Sequence, residues 1–193
     1  VSSRLKTGAT KAAGDPPMRL SVLSYSFRGL LEQGKIDVFG YLETCKYRYN
    51  LGIADIWNGF LTSMEEGYLK KVREGLDERE LELADLCADG VTVWENDPVK
   101  RQKTYEYALA NLNAAKILGA QFVRLDAGGS GLTWTDEQFD HIVKRYKEYA
   151  HFAYDHGFMV GAESHWGPET VWANMKKLFH AVDHPAFGVS CHI

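Results

Sequence analysis

The sequence predicts an α/β protein built on a parallel sheet, and three observations predict it. Strand-like and helix-like segments alternate from Met18 to the end of the chain. The strand-like runs are apolar enough to need cover on both faces, as parallel strands do. The first strand–helix turn, Tyr25-Ser26-Phe27-Arg28-Gly29, carries no G-x-G-x-x-G, which argues against a dinucleotide-binding sheet.

Each element has its own justification. Arg19 to Phe27 alternates apolar and small polar residues and reads as a first strand. Ile36 to Tyr49 is helical, with Asn50-Leu51-Gly52 as its stop. Ile53 to Trp57 is the second strand, followed by a helix from about Met64 to Gly75. Leu81 to Leu86 is the third. A long helix then runs from Pro98 to Leu118, with Asp97 as cap, proline in the tolerated first turn and Gly119 as stop. Gln121 to Leu125 is the fourth strand, leading into the loop Ala127-Gly128-Gly129-Ser130-Gly131. Thr135 caps a helix from about Asp136 to His156, ended by Gly157. The fifth strand is Phe158 to Glu163, then come a helix from Pro168 to Ala181 and a sixth strand from Ala186 to His192.

A repeat of roughly 30–40 residues suits either a barrel or a doubly wound sheet. An eight-stranded (β/α)8 TIM-type barrel takes about 250 residues. Residues 18–193 are therefore expected to form a partial barrel, truncated after about the sixth strand, with an open six-stranded sheet as the alternative. Its two uncovered edges would invite association, a homo-oligomer included. Residues 1–17 are rich in Ser, Thr, Gly, Ala, Lys and Pro without apolar periodicity. They are expected to be a disordered tail or a spurious extension ahead of a natural start at Met18.

Composition narrows the function classes. Hydrophobic residues are 45% and charged residues 25%, as in ordinary globular proteins. No run approaches the roughly 18 apolar residues of a membrane span. The net charge of −4 comes without a basic stripe, which speaks against nucleic acid as a partner. Cys45, Cys87 and Cys191 are odd in number and show no C-x-x-C spacing, so a reducing, cytoplasmic setting is expected.

The chemistry-bearing residues gather where parallel strands end. In the strand ending Met159-Val160-Gly161-Ala162-Glu163-Ser164-His165-Trp166-Gly167, Glu163 and His165 leave on one face, while Val160 and Ala162 face the helices. His192 ends the neighbouring strand and could share a divalent metal with Glu163; oxygen and imidazole nitrogen suit Mn, Co, Zn or Fe. His192 has a second reading as a hydrogen-bonded core histidine. His165 fits better as a residue orienting Glu163 or touching substrate than as a metal ligand. Arg124 and Asp126 share a face at the end of the fourth strand, and Asn58 follows Trp57 after the second. Arg124 reads equally as an ion-pair partner of Glu163 or Asp126 and as a substrate clamp. Trp57, Trp94, Trp134 and Trp166 lie on the same rim, either as faces for a sugar or as a cover over the core. Trp172 is expected to pack. The glycines at 128, 129 and 131 read as a flexible loop rather than a phosphate cradle.

From Met18 to Ile193 the chain resembles the sugar phosphate isomerase/epimerase group of the xylose-isomerase-like barrels. The resemblance rests on Ser24-Tyr25-Ser26-Phe27-Arg28, on Gly119-Ala120-Gln121-Phe122-Val123-Arg124 before a glycine loop, and on Glu163-Ser164-His165-Trp166-Gly167. The last is similar to the family's E-N-H-G segment, with Ser164 in place of Asn. The resemblance implies a barrel with one divalent metal (Mn, Co, Mg or Zn), bound by Glu, Asp, His and Glu at the ends of the last four strands. Glu163 matches the first ligand, and His192 falls where the family has Asp. The third and fourth ligands, and the second catalytic Glu, have no counterpart before the chain ends.

The implied reaction is proton transfer next to a carbonyl through an enediolate of an open-chain sugar, sugar phosphate or polyol. Glu163 would be ligand and acid/base, with His165, Trp166, Arg124, Asp126 and Trp57 around the substrate. The full-length protein is expected to be an isomerase or epimerase and residues 18–193 alone to be inactive. One alternative is a catalytically silent sugar-binding barrel. The other is a phosphodiesterase like the apurinic endonucleases. That class needs histidines at the early strand ends, where this chain has Tyr25, Trp57, Leu86 and Asp126.

Overall fold

The computed structural model describes residues 19–191; the predicted tail at 1–17, Met18 and His192 lie outside the described residues. Among the described residues, five parallel strands form one sheet: β1 (Ile53–Trp57), β2 (Glu82–Trp94), β3 (Ala120–Gly128), β4 (Met159–Glu163) and β5 (Phe187–Ser190). They lie in the order β1-β2-β3-β4-β5, every neighbour being next in sequence. A doubly wound sheet reverses its strand order part-way and a barrel does not. The order therefore decides for the barrel type.

The helices follow the same progression. They are α1 (Arg28–Glu32), α2 (Val38–Glu43), α3 (Glu66–Glu78), α4 (Pro98–Leu118), α5 (Asp136–Asp155) and α6 (Trp172–Val182). From α2 onward each packs against the next along one face of the sheet. Strand residues turned toward them, such as Leu83, Leu86, Val123, Leu125, Val160 and Ala162, are fully buried. They meet Leu69, Leu76, Leu112, Tyr146 and Tyr149 from the helices in one apolar cluster. The opposite face curls inward, so that Ser21, Asp55, Asp85 and Phe122 share one cavity of about 440 Å³ with Ser190 of β5. Gly161 and Gly188 pair across β4 and β5 on this face. A Cβ on Gly161 would lie 2.1 Å from the Gly188 carbonyl oxygen, so the close approach requires glycine.

The capping signals place helix ends well. Asp97 accepts from the Val99 amide at 2.8 Å, and Gly119 closes α4 with φ of 69°. Thr135 and Gln138 form a reciprocal capping box at the start of α5. The three cysteines are free. Among the described residues no helix is long and apolar enough to cross a membrane.

Four expectations need correction. The first strand shrinks to one bridge between Leu23 and Asp55, because Ser21 and Ser24 bind β1 by side chain: Ser21 donates to Asp55, and Ser24 Oγ accepts from the Trp57 amide at 2.8 Å. The helix expected from Ile36 starts at Val38 under an Asp37 cap and turns into a π-helical stretch at Thr44–Arg48. The helix expected from Pro168 is divided at Val171 into a 3-10 turn (Gly167–Thr170) and α6. Trp172 opens α6 at 66% exposure and does not pack.

The third strand runs much further than its apolar core suggested. β2 advances from Cys87 to Thr92 while β3 advances only from Arg124 to Asp126. The surplus residues bulge from the ladder around Gly90, whose φ of 78° a side chain would resist.

Candidate active site

The strand ends deliver six of the seven candidate residues to one cavity. Trp57, Arg124, Asp126, Glu163, His165 and Trp166 line a space of about 630 Å³ together with Leu23, Tyr25, Asp89 and Gly90. The seventh, His192, is outside the described residues.

Arg124 is the hub. Its Nη2 lies 2.6 Å from Asp89 Oδ1, its Nη1 3.2 Å from Asp126 Oδ1 and its Nε 3.3 Å from Glu163 Oε2. The last contact is an ion pair without hydrogen-bond alignment, and Nε has no hydrogen-bond partner. Three adjacent strands thus place a carboxylate on one guanidinium whose side chain is 7% exposed. Burial opposes the arginine's charge, but Asp126, Cys87, Glu163 and Asp89 outweigh it and raise its pKa. Burial also lifts the Asp126 carboxyl, against the pull of Arg124. Of the two readings of Arg124, the geometry shows the ion-pair partner, and it joins both expected carboxylates rather than one.

Glu163 makes a second contact to His165, whose Nδ1 is 3.1 Å from Oε2. The imidazole in turn stacks on Trp166 with centroids 4.2 Å apart. Tyr25 meets Trp57 edge to face at 5.0 Å. These rings make the apolar wall of the cavity. Trp94 and Trp134 serve the scaffold: Arg101 lies over the Trp94 ring, and Trp134 Nε1 donates to the Gly128 carbonyl at 2.8 Å.

Two residues at or beside the site, Asp89 and Glu169, escaped the sequence. Asp89 rides on the β2 bulge; the Asp89-Gly90 pair interrupting an apolar run was its signal. Asn58 is 4% exposed and holds the bulge, donating through Nδ2 to the Asp89 carbonyl and to Tyr107 Oη, each at 3.0 Å. Glu169, in the turn after β4, is 1% exposed and accepts from the Ala127 amide at 2.8 Å. Its other oxygen, Oε2, has no hydrogen-bond partner, and burial, reinforced by Asp126 and Glu163, pushes its pKa up to about 8.

A metal centre is not complete here. Among the described residues no group of three or more His, Cys, Asp or Glu is set to hold a metal ion. Asp89, Asp126 and Glu163 converge on the Arg124 guanidinium.

Known structures share this architecture. The probable 3-DHS dehydratase AsbF of petrobactin synthesis from Bacillus anthracis superposes with a TM-score of 0.70 at 19% identity, over 90% of this chain and 62% of its own. The IolI protein with a binding zinc atom gives 0.71 at 14% identity, over 89% and 62%. A D-psicose 3-epimerase in the presence of D-fructose gives 0.68 at 13%, over 90% and 63%. The chain thus spans less than two thirds of the length of these structures. No curated protein matches it in sequence. Residues 49–191, from the end of the π-helical stretch through β5, match the family model, and with the sequential parallel strands they make this chain a member of the xylose isomerase-like TIM barrel family.

Proposed function

We propose that the protein containing this chain is a sugar or polyol isomerase or epimerase that moves a proton on a carbon next to a carbonyl, with Glu163 as an acid/base. The observation that carries this reading is the placement of Glu163. Its carboxylate ends β4 at the cavity wall, and Arg124 and His165 both contact the same oxygen, Oε2. A carboxylate contacted from two sides is held in one rotamer, the fixed position a proton-abstracting base requires.

The chemistry balances simply. Glu163 takes the proton from carbon as the C–H electron pair moves into the carbonyl, giving an enediolate with its negative charge on oxygen. Return of that proton to the neighbouring carbon, with the hydroxyl proton passing to the other oxygen, isomerises the sugar; delivery of a proton to the opposite face of the same carbon by a second acid of the full-length protein epimerises it. The comparison structures support this class: an epimerase acting at carbon 3 of a ketose works beside the carbonyl. IolI carries zinc, and Glu163, with His192, is where this chain would contribute to a divalent ion. Such an ion, when bound, polarises adjacent carbonyl and hydroxyl oxygens. The aromatic wall of Tyr25, Trp57 and Trp166 supplies faces for sugar C–H groups.

The test is solvent exchange. Full-length protein is incubated in deuterated water with free ketoses, and deuterium at the carbon next to the carbonyl is followed by NMR. We expect incorporation that Glu163→Gln lowers by about a thousandfold, within the range removed with a general base. Sugar binding without any exchange would mark a silent binding barrel and end the enzyme reading.

A further inference from the structure

We propose that Asn58 is a positioning residue of the active site: anchored on α4, it sets the place of Asp89 and, through Asp89, the place of Arg124. Only the kinetic consequence rests on the proton-transfer reading. The β2 bulge is the starting point, because the sheet itself does not hold it. The β1–β2 register ends at Trp57 and Cys87, and β3 offers Leu125 alone against residues 88–91. Asp89 nevertheless stands close enough to meet Arg124 Nη2 at 2.6 Å. A group outside the ladder must fix it.

Asn58 supplies that hold from the turn that follows β1. Its Nδ2 carries two hydrogens and reaches three acceptors. One is the Asp89 carbonyl at 3.0 Å; the others, Tyr107 Oη at 3.0 Å and Asn111 Oδ1 at 3.3 Å, both stand on α4. Asn111 is itself oriented, since its Nδ2 donates to the Tyr107 carbonyl at 2.9 Å. The Asn58 amide therefore ties the bulge to a 21-residue helix. Asn111 lies on the buried face of α4 with Ala108, Leu112 and Ala115. An apolar residue would pack there with no polar group to satisfy, so these amides serve placement rather than burial. Arg124 carries the effect onward by its contact to Glu163.

A kinetic cycle on the full-length protein tests the proposal, with deuterium exchange read on D-fructose or another free ketose that the wild type exchanges. Asn58→Ala should lower kcat by about tenfold to a hundredfold, the scale of a misplaced group, with KM within about threefold. With Asp89→Ala already present, the same change should cost less than about threefold, because its target is gone. Tyr107→Phe removes one acceptor from an exposed side chain and leaves the fold intact. It should speed amide exchange at residues 89–91 by about threefold or more at an unchanged melting temperature. An equal loss in both backgrounds overturns the proposal. So does an unchanged kcat, a change confined to KM, or wild-type exchange of the bulge amides in Tyr107→Phe. The Arg124 Nε resonance, read without substrate, keeps the two claims apart. If the wild type exchanges no ketose, proton transfer fails; the positioning claim then stands if Asn58→Ala shifts that resonance only while Asp89 is present, and fails otherwise.

Discussion

Glu169 makes stability depend on pH in a direction opposite to most carboxylates. The perturbation is Glu169→Gln, which retains an oxygen to accept from the Ala127 amide and removes the ionisation. In the folded protein the carboxyl titrates at about 8, against 4.5 for the ordinary group. Between those values the folded state holds the proton and the unfolded state has lost it, so stability falls as pH rises. The contribution is whole below the lower value and lost once pH passes the upper one. At about 1.4 kcal/mol per pH unit, the loss over that whole window is on the order of 5 kcal/mol. The glutamine variant has no such loss. Urea unfolding of both proteins should therefore show their stability gap shifting toward Glu169→Gln by about 3–4 kcal/mol from about pH 5 to about pH 8. Taking the difference cancels the titration of Asp85, which burial lifts to about 7, and of Asp55, neither of which is among the groups acting on Glu169. A gap that stays constant with pH, or that moves toward the wild type, would refute the argument.

Two further outcomes follow from the same packing. Arg124→Met leaves Asp89, Asp126 and Glu163 without their shared counter-ion. It should lower stability by about 3–5 kcal/mol near neutral pH, with partial recovery in acid as the carboxylates protonate, read by thermal melts at two pH values. Gly161→Ala drives a methyl into the Gly188 carbonyl and should destabilise by about 3 kcal/mol in denaturant, with loss of amide protection concentrated in β4 and β5.

The legible parts of the fold were those written in short-range chemistry. Asp97, Pro98 and Gly119 mark α4 because caps act within a turn of the residues that make them. Thr135 and Gln138 mark α5 for the same reason. The extent of β2 was hidden, because Asp89-Gly90 breaks the alternation that signals a strand while the chain rejoins its partner at Thr92. The first strand misled in the opposite sense: its alternation is real, but its serine hydroxyls go to β1 in place of a ladder. In the site, Arg124, Asp126 and Glu163 were visible because a charge at a strand end stands out against apolar neighbours. Glu169 was not, since a carboxylate two residues into a helix-like segment ordinarily faces water. Only the turn at Gly167–Thr170 carries it under the end of β3.

The hub at Arg124 also constrains how such a site can change over generations. One cation answers to carboxylates from β2, β3 and β4, so no single replacement leaves the others as they were. A lineage that first loses the arginine passes through an unpaired acidic cluster, and one that first loses a carboxylate frees the guanidinium to seek another anion. Substitutions at these four positions should be strongly non-additive, and the accessible routes to a new specificity run through paired exchanges. Asp89, on the bulge and nearest to solvent of the three carboxylates, is where such a route would begin.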